Sequence, residues 1–215
     1  DYQPQVVRVS VRFDTAGDIA RLVLAYEDSD NYLFTEFWIG TDGCGHVQMY
    51  ERIEGVDTAI GDEFALPFEV EEDTWSTVSL CYVPGESVED PGLLTTRVAA
   101  LAGIWSQSAA TSPDLPGDQG GLGTGATAAG TIDFDNFDYL YHYDLVEHPD
   151  CPECKGNRAC ALHEDDFDRS NTTDVGCAWE EVDGDWSINT NELTVAEADS
   201  VLLNRTELPD DDGHV

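Results

Sequence analysis

The chain has 215 residues, 41% of them hydrophobic and 10% aromatic, which is enough apolar material for one sizeable core or two small ones. Its 45 Asp and Glu residues against 9 Lys and Arg residues give a formal net charge of −36. This charge excludes a nucleic-acid interface, because phosphate binding requires clustered cations. Two explanations of the net negative charge are open: a solvated, self-repelling surface, or the binding of divalent cations. No stretch approaches the ~18 consecutive apolar residues of a membrane span, so we predict no membrane insertion.

The first part of the chain is predicted to consist of successive strands. From Val7 to Phe13, apolar residues occupy every second position and polar residues lie between them, which is typical of a half-buried strand. Turn-forming residues separate the later strands, and no segment shows a 3.6-residue apolar period. The sequence therefore predicts an all-β fold, an antiparallel two-sheet sandwich. The later strands are predicted at Arg21–Tyr26, Tyr32–Ile39, His46–Arg52, Thr77–Val83, Leu94–Leu101 and Thr131–Leu140.

Three regions follow from the composition. The segment from Asp114 to Gly130 is rich in Gly, Ala, Thr and Pro, which predicts a long surface loop within the main body, residues 1–143. Residues 144–160 carry prolines and three cysteines and are predicted to be a disulfide-stapled linker at a domain boundary. Residues 161–215 contain three or four short strands, too few to bury a sheet by themselves, so this region needs a partner.

The six cysteines form an even set, four of them close together. Cys151 and Cys154 have the spacing of a zinc-binding pair, but no second close pair follows them. We therefore predict disulfides and, with them, an oxidising location outside the cell or at its surface. Cys44 is predicted to pair with Cys81, and the other four cysteines are predicted to pair among themselves around the linker. The predicted disulfide cysteines are Cys44, Cys81, Cys151, Cys154, Cys160 and Cys177.

Several short motifs carry a resemblance to a known superfamily. They include Asp166-Phe-Asp-Arg169, Gly184-Asp-Trp-Ser-Ile188 and Phe134-Asp-Asn-Phe137. These motifs resemble the opening and closing elements of the laminin-G-like, concanavalin-A-like jelly-roll domains of bacterial secreted proteins. In this chain the opening motifs, which also include Gly176-Cys-Ala-Trp179, lie after the closing one. The resemblance therefore implies a jelly-roll sandwich that is either circularly permuted or completed by strands exchanged between neighbouring copies.

The permuted order leads to the main functional prediction. A sandwich without its opening strands exposes an apolar groove and unpaired strand edges, which soluble proteins avoid. We therefore predict an extracellular structural repeat that assembles head to tail into a fibre, sheath or surface array, with copies of itself as partners. The apolar residues expected at the joint are Trp179, Trp186, Ile188, Leu193, Val195, Val201, Leu202 and Leu203.

A structural Ca²⁺ site is the one cofactor that the sequence suggests. The permuted order places the first and last strands of the domain side by side, and both carry aspartates, whose oxygens are suitable calcium ligands. The alternative is that these aspartates face water or cap turns. The predicted ligands are Asp133, Asp135, Asp138, Asp166 and Asp168.

Enzymatic activity is not predicted. The segment from Glu164 to Asp168 comes close to the E-x-D-x-E strand of glucanases in the same superfamily, but it ends in Asp and begins the family's first strand. The alternative function is a carbohydrate-binding jelly-roll module of a larger secreted protein, with glycans as partners. Trp38, Trp75 and Trp105 are candidates for stacking on sugars, although burial is the default expectation for such residues in a sandwich.

Overall fold

The computed structural model describes residues 4–85, 87, 89–113, 117, 119–125, 130–141, 161–173, 175, 179–195 and 198–204. These residues form fifteen strands. Within these ranges, no helix is long and apolar enough to cross a membrane. The strands are β1 (Gln5–Phe13), β2 (Ile19–Asp28), β3 (Asn31–Ile39), β4 (Cys44–Ile53), β5 (Val56–Glu69), β6 (Ser76–Val83), β7 (Pro91–Ala100), β8 (Gly103–Pro113), β9 (Gln119–Thr124), β10 (Ile132–Tyr141), β11 (Ala161–Asp165), β12 (Trp179–Asp183), β13 (Trp186–Asn189), β14 (Glu192–Val195) and β15 (Val201–Asn204).

The strands build two antiparallel sheets. The eight-stranded sheet has the order β13-β14-β10-β1-β6-β7-β8, and β11 also pairs with β10. The seven-stranded sheet has the order β12-β15-β9-β2-β3-β4-β5. The predicted all-β, two-sheet antiparallel sandwich is therefore confirmed.

The core lies between the sheets and follows from strand alternation. In β1, Val7, Val9 and Val11 are fully buried, while Arg8 on the opposite face is exposed. Strand β6 repeats the pattern, because every second residue from Ser76 is buried. Side chains with a period of two thus supply an apolar layer from each sheet.

The structure corrects the predicted loop at 114–130. Strand β9 lies within this segment and is buried between β2 and β15. Its glycines permit this close packing, because a Cβ atom at Gly121 would collide with the carbonyl oxygen of Leu202. Strands β5 and β8, which the sequence analysis did not identify, are the last strands on one side of the two sheets.

The strands after residue 160 complete the sandwich of their own chain. We call residues 4–141 the body and residues 161–204 the lobe. The lobe strands pair with the body at β10 in one sheet and at β9 in the other. Leu140 and Ala161 are cross-strand partners, so the chain leaves the body and enters the lobe at neighbouring positions. The predicted linker, 144–160, lies outside the described residues.

Candidate assembly site between body and lobe

The lobe extends both sheets of the body. In the eight-stranded sheet, β14 pairs with the first part of β10, where Phe134 faces Leu193, and β11 pairs with its later part. In the seven-stranded sheet, β15 pairs with β9, where Leu202 faces Leu122. We call this double junction the seam. Without the lobe, both β10 and β9 would present unpaired backbone edges.

The apolar residues predicted for the joint lie at the seam and are all buried. The two lobe tryptophans contact body aromatics: the ring centroids of Trp186 and Phe134 are 5.9 Å apart, and those of Trp179 and Phe137 are 4.7 Å apart in an edge-to-face arrangement. Burial of such side chains contributes about 1.5–3 kcal/mol each, so the lobe adds substantially to the core. The buried set is Trp179, Trp186, Ile188, Leu193, Val195, Val201, Leu202 and Leu203.

Polar contacts also cross the seam. Arg12 Nη2 lies 2.6 Å from Glu192 Oε2, and Arg21 Nη1 lies 3.0 Å from Asp199 Oδ1. Ser200 N donates to the buried hydroxyl of Thr124 at 3.0 Å. These contacts join residues far apart in the sequence and fix the position of the lobe in both sheets.

The sequence analysis missed the arginines of the seam. Arg12 lies on the outer face of β1, opposite its buried valines, and Arg21 lies on the outer face of β2. The composition could have identified them. The chain has only 9 Lys and Arg residues against 45 Asp and Glu residues, so an outward-facing arginine on a strand is expected to form an ion pair.

Asp165 organises the region where the chain enters the lobe. Trp179 Nε1 donates to Asp165 Oδ2 at 2.8 Å, and Arg169 Nη1 donates to Asp165 Oδ1 at 2.9 Å. Burial opposes ionisation of Asp165, but these hydrogen bonds outweigh it and lower the pKa of Asp165 below its ordinary value. In the glucanase-like segment, this carboxylate therefore holds Trp179 in place against the body.

Two of the predicted calcium ligands are held by arginines. Arg12 Nη2 donates to Asp133 Oδ2 at 2.8 Å, and Arg8 Nε donates to Asp138 Oδ2 at 2.7 Å. Asp133 and Asp138 therefore carry charges that the body itself neutralises. This pairing reduces their availability to a cation.

The remaining predicted ligands do not complete a metal site. Asp135 accepts a hydrogen bond from Asn136, and burial together with the charge of Asp166 raises the pKa of Asp135. Asp168 is exposed, and its backbone N–H donates to Asp166. Among the described residues, no group of three or more His, Cys, Asp or Glu side chains is arranged to hold a metal ion. Ca²⁺ binding by the five aspartates therefore stays a prediction.

The predicted bridge between Cys44 and Cys81 is wrong. Both cysteines are free thiols. Cys44 alternates with buried residues in β4 and Cys81 alternates with buried residues in β6, so they face outward from opposite sheets. Although Cys81 faces outward, it is only partly exposed. This burial raises the pKa of its thiol to about 11, which keeps the thiol protonated at neutral pH. Cys151, Cys154, Cys160 and Cys177 lie outside the described residues, so their pairing stays a prediction.

The three candidate tryptophans for sugar stacking all have protein partners. Trp38 stacks on His46 at 5.4 Å, and Trp105 stacks on Phe64 at 4.7 Å. The guanidinium carbon of Arg12 lies 4.8 Å from the ring centroid of Trp75. Each of the three tryptophans is therefore in contact with another side chain of the protein, and sugar binding by them stays a prediction.

Comparison of the chain with protein-family models, with curated proteins and with solved structures finds no match. The resemblance to laminin-G-like jelly rolls therefore stays a prediction based on motifs, and the seam itself is the strongest structural basis for a function.

Proposed function

We propose that this chain is a non-enzymatic, extracellular structural module whose copies join by exchanging the lobe. The proposal rests on one observation. The lobe completes both sheets of the sandwich, yet a single segment, residues 142–160, connects it to the body in the sequence. A lobe that docks on the body of a neighbouring copy makes the same contacts as one that docks on its own body. Exchange therefore replaces every seam contact without loss.

Successive exchange produces a chain of copies. If each copy gives its lobe to the next and receives one from the previous copy, the assembly is head to tail, and it grows into a filament when the rotation between copies does not close a ring. The apolar character of the seam supports a persistent joint, since obligate interfaces resemble a domain core cut in half. Disulfides among the cysteines near the linker would lock such a joint in an oxidising environment.

A mixed cross-linking experiment tests the exchange. Asp133 and Thr194 are direct cross-strand partners at the seam, and Thr194 Oγ1 donates to Asp133 Oδ1 at 3.0 Å. We propose to mix full-length Asp133→Cys with full-length Thr194→Cys under mild oxidation. Exchange predicts disulfide-linked heterodimers that each variant alone does not form, since the new cysteines meet only when the lobe of one copy docks on the body of another.

The controls separate exchange from failure to form the bond. The double variant Asp133→Cys/Thr194→Cys must form this disulfide, within one chain or between two copies, which shows that the pair has suitable geometry. The parent chain, with its native cysteines, measures background cross-linking. If the double variant closes but the mixture gives only monomers across the concentration range in which electron microscopy would detect filaments, the proposed function is wrong.

A further inference from the structure

Strand β8 is an open edge of the eight-stranded sheet. Among the described residues it pairs only with β7, so its other side has backbone N–H and C=O groups without a strand partner. Its pairing with β7 runs without a bulge from Leu93 to Ala100. At the end of β8, the N–H of Ser112 donates to Glu51, so the free stretch is residues 104–110. We call this stretch the β8 edge.

The other outermost strands have features that discourage pairing with a further strand. Strand β5 contains four acidic residues and Pro67, and two register shifts interrupt its pairing with β4. Strand β12 has three acidic residues among its five, and β11 and β13 have only five and four residues. Charges, prolines, bulges and short length are the means by which proteins protect sheet edges. Strand β8 has eleven residues, none of them charged.

The hairpin formed by β7 and β8 also lacks acidic residues. From Pro91 to Pro113 there is no Asp or Glu, although the whole chain has 45 of them in 215 residues, and Arg97 is the one charged residue in this segment. Two copies with a net charge of −36 each repel one another, and the repulsion is weakest where acidic side chains are missing. The β8 edge is therefore the sheet edge that a second copy can approach most closely.

The outer face of this hairpin exposes apolar side chains. Leu93 of β7 is 46% exposed and Ile104 of β8 is 64% exposed. Along β8, the exposed outer residues are Ile104, Ser106, Ser108 and Ala110, all of them small or apolar. Residues that face each other in an antiparallel pair lie on the same face of a sheet. Pairing of two β8 strands therefore places Ile104 of one copy on the same face as the later part of β8 in the other, which reduces its exposure.

We propose that two copies of this chain associate by pairing their β8 edges antiparallel about a twofold axis. Each edge then supplies the hydrogen-bond partners that the other lacks, and the two eight-stranded sheets become one continuous sheet. The lobe lies at the opposite end of the eight-stranded sheet, so this contact does not rest on the proposed exchange of lobes. Where exchange also occurs, pairing of β8 edges joins the resulting filaments side by side.

The first test measures self-association of the full chain by sedimentation velocity from micromolar to millimolar concentration. We expect noncovalent dimers whose population increases with added salt, because salt screens the repulsion between the two chains. Hydrogen exchange should show that protection of the β8 amides increases with protein concentration, while the amides of β5 remain unchanged. A non-reducing denaturing gel identifies any dimers that are linked by disulfides.

A charge swap at Ser108 identifies the edge that pairs. Ser108 is at the middle of β8, so antiparallel pairing places it close to Ser108 of the second copy. Ser108→Glu and Ser108→Arg should each weaken dimer formation roughly tenfold, because like charges then meet across the twofold axis. An equimolar mixture of the two variants should restore dimers, as heterodimers that native mass spectrometry distinguishes from homodimers by mass.

Thr58→Glu is the matched control. Thr58 is exposed on β5, the protected edge of the other sheet, so this variant adds the same charge and should dimerise like the parent. Exchange of lobes alone would give homodimers and heterodimers in statistical proportion in the Ser108 mixture, which distinguishes it from pairing of β8 edges. A parent chain that stays monomeric, equal effects of Ser108→Glu and Thr58→Glu, or a statistical mixture would each overturn the proposal.

Discussion

Trp179 of the lobe packs edge to face against Phe137 of the body, with their ring centroids 4.7 Å apart and their planes at 65°. The same indole donates its N–H to Asp165, which follows the segment that leads from body to lobe. One side chain thus combines an apolar contact across the seam with a hydrogen bond inside the lobe. Trp179 is therefore expected to be a main determinant of lobe docking.

Replacement of Trp179 tests this expectation. Trp179→Ala should lower the free energy of unfolding by about 3–5 kcal/mol, because it leaves a cavity at the seam. Trp179→Phe keeps an aromatic ring and loses the hydrogen bond to Asp165, so its effect should be smaller. Urea denaturation measures both, and limited proteolysis shows whether cleavage begins in the lobe. Trp105→Ala is the control, since Trp105 stacks on Phe64 away from the seam. Equal proteolysis of the lobe in both alanine variants would contradict a specific role for Trp179.

Strand alternation made much of the body predictable. The period of two in β1 identified both the buried valines and the outward arginines. Strand β9 was not predictable from periodicity, because Gly121 and Gly123 contribute no side chain to the pattern. Their burial depends on β15, where Leu203 pairs with Gly121 and Val201 pairs with Gly123.

The candidate site was less predictable than the fold. The spacing of Asp133 and Asp138 suggested metal ligands, but their partners Arg12 and Arg8 become apparent only from the register between β1 and β10. Local sequence shows which residue types are present, whereas the strand register decides which of them meet.

The pKa of Asp165 predicts a specific effect of acid on the lobe. Its pKa is lowered in the folded state, so the ionised carboxylate adds stability at pH values above the ordinary aspartate value of about 3.9, and this contribution is lost as the pH falls through the lowered folded value. Asp165→Asn should therefore destabilise the chain at pH 7 and differ less from the parent at pH 3. Thermal melts of both proteins across this range measure the difference. Asp168→Asn is the control, since Asp168 is exposed. A constant difference between Asp165→Asn and the parent would show that ionisation of Asp165 is not the cause.

The glycine at the centre of β9 provides a backbone test of the seam. Gly121→Ala should destabilise lobe docking by about 1–3 kcal/mol, because the new methyl group collides with the backbone of Leu202, which cannot move without disturbing β15. Gly103→Ala is the matched control, since the atoms nearest to its methyl group belong to the side chain of Phe68, which is partly buried and can adjust. Hydrogen exchange of the β15 amides measures the effect. If both variants left β15 equally protected, close approach of β9 and β15 would not limit docking.

The effect of Ca²⁺ on the melting temperature depends on the arginines that pair with two of the predicted ligands. Because Asp133 and Asp138 are bound to Arg12 and Arg8, we expect Ca²⁺ to act mainly by screening the net charge of −36. Calcium and magnesium at equal millimolar concentration should then raise the melting temperature equally, and a chelator should reverse both effects to the same extent. Differential scanning calorimetry measures the shifts, with the calcium and magnesium samples at the same ionic strength. A larger shift with Ca²⁺ that disappears in Asp135→Asn would instead show that Asp135 takes part in a specific site, as the sequence had predicted.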